Sequence, residues 1–241
     1  MKKILLTALL SAASLASFGQ GTIDLVTINK NGGFVAPIFQ PNPSSPATPQ
    51  VGQPSTAVYT GALPTGTTVY GGLPVTTAYD LVLLYSVNNA VTSPSQMQVA
   101  TITPFRSAAS AAASPAGGVI NISTLGIPGT TGGTPIAFCI GAFFVDSADA
   151  AALSGSAGNL NNAYSAIYAD FQSGGAGSQM GWSSIVPNIV LGGQDTAAGL
   201  HPEPNTEVGW TSFSLSVTPE PSTFVLAGLG AAGLLLFRRR K

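Results

Sequence analysis

The 241 residues are 45% hydrophobic and only 7% charged, whereas an average soluble domain carries about 25% charged residues. Six of the eight basic residues sit at the two ends (Lys2, Lys3, Arg238, Arg239, Arg240, Lys241), leaving Lys30 and Arg106 inside against Asp24, Asp80, Asp146, Asp149, Asp170, Asp195, Glu203 and Glu207, an interior net charge of −6. An acidic interior without a basic patch argues against nucleic-acid binding, which needs clustered Lys and Arg to neutralise phosphate, and the single Cys139 excludes an intrachain disulfide.

The chain opens as a secretory signal. Met1-Lys2-Lys3 is a positive n-region, Ile4 to Ala16 an apolar h-region, and small residues follow. Ser17-Phe18-Gly19 places cleavage after Gly19; Ser14-Leu15-Ala16 offers an alternative after Ala16. Residues 1–19 are therefore set apart from the exported body, 20–217.

Within the body, β-branched residues over Thr22–Asn29 predict a first strand. Residues 41–54 hold five prolines among small polar residues and read as an extended, partly polyproline insertion with too few apolar side chains to join a core. Tyr79–Val87 and Ile136–Val145 are apolar on both faces, as central strands are. Gln96–Thr103 and Gly118–Ile122 are further strand candidates, and Ile185–Leu191 contains Pro187, which assigns it to an edge or a bulge. Over Thr211–Val217, Phe213, Leu215 and Val217 face one way and Ser212, Ser214 and Ser216 the other, the pattern of a half-buried strand. Gly- and Pro-rich turns at 126–133 and 174–181 punctuate these runs. Leu160, Tyr164, Ile167, Tyr168 and Phe171 fall on one helical face, with Asn159 as cap and Gly174-Gly175 as stop; Asp146–Leu153 predicts another short helix. The expected class is mainly β: a single β-sandwich-like domain with one or two short helices.

Chemistry-bearing residues are sparse. His201 is the sole histidine, lies in a Pro-rich loop, and has no Gly-x-Ser-x-Gly elbow to serve. No cluster of ligands has zinc spacing. Cys139 has no Lys, Arg or His within its strand to lower its pKa, so it reads as a buried apolar side chain. Asp146 and Asp149 suit a helix N-terminus, where acids favour the dipole, better than a calcium site. No cofactor, no metal and no catalytic residue is expected. The first reading is a non-enzymatic surface or matrix protein. A carbohydrate-binding module, with Trp182, Trp210 and Tyr85 as stacking residues, is the alternative, and a hydrolase using paired carboxylates the second alternative.

The tail, 218–241, reads Thr218-Pro219-Glu220-Pro221-Ser222, then an apolar run over 223–237, then Arg238-Arg239-Arg240-Lys241. As a helix the run spans about 22 Å at 1.5 Å per residue, short of a bilayer core of about 30 Å unless flanking arginines snorkel. Its basic end marks the cytoplasmic side. Gly228-Leu229-Gly230-Ala231-Ala232-Gly233 matches a dinucleotide fingerprint, but lacks the following helix and acidic residue that chemistry needs; small residues here suit close helix packing.

Pro-Glu-Pro, a short apolar helix and a terminal Arg cluster together resemble the PEP-CTERM sorting signal of Gram-negative bacteria. The resemblance implies recognition at Pro219, Glu220 and Pro221 by an exosortase, with Arg238, Arg239, Arg240 and Lys241 as the basic stop. It also implies transient anchoring in the inner membrane through 223–237, and release or transfer to the outer surface or an extracellular polysaccharide matrix. The processing partners it implies are a signal peptidase acting at Gly19 and the exosortase. More weakly, Gln20-Gly21-Thr22, Pro104-Phe105-Arg106 and Ser212-Phe213-Ser214-Leu215 resemble pieces of uncharacterised bodies that carry this tail. The resemblance transfers no biochemical activity to the body.

Overall fold

A computed structural model describes residues 20–26, 28–29, 34–55, 66–105, 120–175, 177–195, 199–201 and 210–218. The strands are β1 (Gly21–Val26), β2 (Ile28–Asn29), β3 (Phe34–Val35), β4 (Ile38–Phe39), β5 (Tyr79–Ser86), β6 (Gln98–Pro104), β7 (Asn121–Ile127), β8 (Pro135–Phe144), β9 (Gln179–Trp182), β10 (Val186–Val190), β11 (Gly193–Asp195), β12 (Gly199–His201), β13 (Phe213–Ser214) and β14 (Ser216–Val217). The helices are α1 (Ser147–Gly155) and α2 (Leu160–Ser173). The described residues are thus mainly β, with several sheets and two α-helices.

The organising element is a six-stranded sheet in the order β14-β9-β8-β5-β6, with β10 also pairing β8. β8 is its axis: β5 runs antiparallel along one edge from Tyr79↔Phe144 to Ser86↔Ala137. The other edge is divided between β9, opposite Gly141 to Phe143, and β10, opposite Pro135 to Phe138. The two runs expected to be central are central, because their side chains alternate between two cores. Leu81, Leu83, Tyr85, Ile136, Phe138, Ile140 and Ala142 point to one cluster. Val82, Leu84, Ala137, Cys139 and Phe143 point to the other. Neither face meets water, so neither carries the polar half of a period-two pattern.

One face is covered by the helices. Asp146 caps α1, its carboxylate accepting from the Ala148 and Asp149 amides; Asn159 caps α2 through the Asn162 amide. Gly174, at φ 76°, closes α2 in the left-handed conformation while its amide reaches back to Asp170 and Phe171. The buried stripe Tyr164, Ile167 and Phe171 packs on Leu84, Val99, Cys139 and Met180. The opposite face is covered by short two-stranded pairs, β1 with β7 and β4 with β13, rather than by one continuous second sheet. They contribute Ile23, Leu25, Ile127, Ile38 and Phe213 to the larger core.

β10 behaves as Pro187 requires. It pairs only with β8, and its register slips between Val186 and Ile189, where Asn188 adopts φ 61°.

Two expectations change. Thr211–Val217 is not one half-exposed strand: β13 pairs in parallel with β4, the chain crosses at Leu215, and β14 pairs with β9. Ser212 and Ser214 are as buried as Phe213 and Leu215. The reason is the proline-rich segment, which lies against this run instead of standing clear of the body. Its residues 43–49 are exposed, yet its backbone pairs with 212–217 through Gly52 N to Ser212 O (2.9 Å), Ser214 N to Gln50 O (2.8 Å) and Val217 N to Pro46 O (2.9 Å).

Candidate functional site

The sorting residues Pro219, Glu220 and Pro221, the basic stop Arg238, Arg239, Arg240 and Lys241, the apolar run 223–237 and the cleavage residue Gly19 lie outside the described residues. Among the described residues no helix is long and apolar enough to cross a membrane. What the structure places are the body's two points of attachment to these segments.

At the front, the first described strand is tied down at both of its leading residues. Gly21 heads β1 and donates to Thr130 O (3.2 Å), while Thr22 exchanges both backbone hydrogen bonds with Gly192 (3.0 and 2.9 Å). A Cβ on Gly21 would stand 2.6 Å from Leu191 Cδ1 and 2.7 Å from Thr131 O. Gly21 is thus demanded by a close backbone approach, which gives the Gln20-Gly21-Thr22 opening a physical reason.

At the back, the chain leaves the body from β14, whose residues are pinned on both sides. Val217 sits opposite Gln179 and donates to Pro46. Upstream, Tyr70 Oη lies 2.6 Å from Gly52 O and 2.8 Å from Ser212 O, its one proton shared between the two carbonyls, which ties the proline-rich segment to the run; burial pushes this phenol well above its ordinary pKa. The crossing at Leu215 requires Gly181 beneath it, where a Cβ would lie 2.8 Å from Ser214 O and 3.0 Å from Leu215 Cα. Along the seam, Gln50 Oε1, Gln53 Oε1, Ser212 Oγ and Thr218 Oγ1 are buried without a hydrogen-bond partner among the described residues. Only Thr218 separates β14 from Pro219. The body therefore presents the sorting residues with almost no spacer.

The three aromatic residues named as candidate stacking residues all take part in packing. Trp210 is 1% exposed, inside the larger core. Tyr85 is buried, its hydroxyl donating to Pro128 O (2.7 Å). Trp182 lies under α2: its indole N–H donates to Tyr164 Oη (2.9 Å), and its ring meets Tyr168 and Phe171 edge-on at 5.7 and 6.0 Å. They belong to different parts of the body: Trp210 and Tyr85 to the larger core, Tyr85 also lining a hollow of about 410 Å³ with Gln96 and Gln98, and Trp182, partly buried, to the helix side of the sheet.

Cys139 is fully buried, its Sγ 3.4 Å from Ser183 O. Burial pushes the thiol up to about 12, so it stays protonated and unreactive at neutral pH. The paired-carboxylate alternative has one physical counterpart. Asp149 and Asp170 line a hollow of about 470 Å³ between the helices, walled by Ala148, Ala152, Ala166 and Ile167. Asp149 is 3% exposed, and burial, then the charges of Asp146, Asp170 and Asp80, raise its carboxyl to about 6. Among the described residues no three His, Cys, Asp or Glu side chains are grouped to hold a metal ion. Asp195 and His201 fall at opposite ends of the small β11–β12 pair, His201 opposite Gly193 and Asp195 opposite Gly199.

The raised carboxyl makes a testable stability statement. A folded-state pKa above the unfolded one means that folding takes up a proton between about pH 4 and pH 6. Asp149's contribution is therefore favourable at low pH and is lost as pH rises through that window. Asp149→Asn is expected to stabilise the protein by about 1 kcal/mol at pH 7, the relieved burial of charge exceeding the lost dipole interaction. Thermal melts should show a gain of about 2–4 °C at pH 7 and none at pH 4. An equal shift at both pH values would contradict the assignment.

Residues 217–241 match the model of the PEP-CTERM protein-sorting motif. The match begins on the last residue of β14. No curated protein and no solved structure matches the chain.

Proposed function

We propose that this chain, with a PEP-CTERM protein-sorting motif as its last 25 residues, is an exported, non-enzymatic component of the cell surface or of the extracellular polysaccharide matrix. The motif carries the reading, because it marks an exported protein whose tail an exosortase processes. The role after delivery is structural or interactive, exercised through hydrogen bonding and packing. Three placements support this. The one thiol is sealed in the central sheet, the tryptophans serve the core and the helix layer, and Asp146 is occupied as a helix cap. The exposed proline-rich segment offers serine, threonine and backbone carbonyls without charge, a surface suited to a hydrated, hydroxyl-rich matrix.

The backbone hydrogen bond of Gly21 also supports signal-peptidase cleavage after Gly19, since a cut there leaves one residue before the first hydrogen-bonded position of β1. The test is the intact mass of the protein from its native host, after separation of membranes from external material. The expected species lacks everything through Gly19 and everything beyond about Pro221, and is found outside the membrane fraction. Full-length tail in the membrane fraction would overturn the reading.

A further inference from the structure

From Asn31 to Tyr79 the sequence contains no charged residue, although Lys30 and Asp80 bound the stretch. The described part of this stretch is also where apolar side chains stand out in solvent. Val51, Val69 and Leu73 are 52, 70 and 74% exposed, and of the other exposed large apolar side chains among the described residues, Val87 and Val190, neither belongs to it. The three are held in one lobe. Gln50 Nε2 donates to Val69 O (3.1 Å), Tyr70 Oη to Gly52 O, and Gln40 N to Leu73 O (2.8 Å). Phe39 stacks on Tyr70 at 4.0 Å between them. The same lobe grips the exit strand, through Pro46 on Val217 and Gln50 on Ser214.

Chain length then fixes which way this lobe faces. Six residues lead from Val217 to Thr223, where the apolar run starts, and fully extended they reach about 20 Å. A body of this size has a radius of gyration of about 16 Å, so the tether is shorter than the body is wide. While the tail is inserted, the end of the sheet where β14 stops, and the lobe bound to it, are thereby kept in the half of the body nearer the bilayer.

We propose that this uncharged lobe is a membrane-resting face: while the tail is uncut, Val51, Val69 and Leu73 sit in the headgroup region of the bilayer that holds the tail. The proposal rests on the reading of the tail as a membrane tether. Three aliphatic side chains without a basic residue are too few to hold a free protein on lipid, where stable anchoring takes two signals. A tether of six residues supplies the missing term as an effective concentration in the millimolar range. Cutting the tail removes that term, so one proteolytic event both frees the chain end and lifts the body off the surface. With no charge in the lobe, the contact is also indifferent to salt.

The test uses the full chain in phosphatidylcholine vesicles, with an environment-sensitive fluorophore on Leu73→Cys or, as reference, on Gln172→Cys, which is exposed on α2 at the helical face. Cys139 is fully buried and stays unlabelled. Iodide is expected to quench the fluorophore at 73 severalfold less than at 172, equally at low and high salt. Proteolysis at a site inserted after Pro221 should equalise the two positions and send the body to the supernatant. A Val69→Asp, Val51→Asp pair should restore quenching at 73 in the uncut chain. Equal quenching at 73 and 172 before the cut overturns the proposal. So does protection at 73 that survives the cut and disappears on dilution, which would mean that a second copy covers the patch. A chain that fails to float with the vesicles before any quenching is measured sinks the tether itself, a result distinct from equal quenching.

Discussion

Replacing Pro219, Glu220 and Pro221 together by alanine is expected to abolish processing of the tail, leaving the chain in the membrane fraction at a mass that still includes residues 222–241. Each proline fixes its own φ near −65° and pushes the preceding residue out of the helical region. Two such prolines disfavour a helix running through this stretch, and an extended peptide is the form in which a bond is offered to a processing enzyme. Alanine is the strongest helix former, and three in succession remove the barrier between the tail's apolar residues and the body. The effect should be close to all-or-none, read as intact mass after fractionation. Two variants separate its causes. Glu220→Gln keeps the stiffness and removes the charge, while Pro219→Ala with Pro221→Ala keeps the charge and removes the stiffness. Wild-type processing of the triple variant would remove Pro-Glu-Pro from any role in sorting.

That motif was legible because everything it needs is local: three residues, an apolar run and a basic end, in that order. The central strands were legible for a related reason. Tyr79–Ser86 and Pro135–Phe144 are apolar on both faces, and only a strand covered on both sides tolerates that. The α2 stripe declared itself by spacing, and Pro187 excluded β10 from any position needing two neighbours. What stayed hidden depends on contacts made by backbone rather than by side chains. The proline-rich segment docks through Pro46 O, Gln50 O and Gly52 N, groups every residue possesses, so no periodicity announces the pairing. Ser212 and Ser214 alternate with Phe213 and Leu215 as though half the strand met water. They are buried because that segment, some 160 positions earlier, covers them. The packing of the aromatic residues was hidden for the same reason: what a tryptophan touches is decided by distant partners, here Tyr164 for Trp182 and Phe213 for Trp210.

Trp210→Ala should therefore act on stability and not on any glycan contact. The side chain is among the largest fully buried ones, 1% exposed, with its ring 6.5 Å from that of Phe213. Truncation in such a site removes apolar burial and leaves a cavity, a loss of about 3–5 kcal/mol from a total of typically about 5–15 kcal/mol. The damage should be directional. Trp210 stands three residues before β13 and shares the larger core with Phe213 and Leu215, so the first structure to loosen is the exit run, which the proline-rich segment holds by a few backbone hydrogen bonds. Hydrogen exchange on the full chain is expected to rise most at the Ser214 and Val217 amides, whose acceptors are Gln50 and Pro46, and least at the β5–β8 ladder. Denaturant melts should shift by the full cavity cost. A Trp210→Ala protein with wild-type stability and unchanged exchange at Ser214 and Val217 would mean that the residue is not holding the exit. If the same variant had lost adhesion to matrix polysaccharide, the stacking role would return.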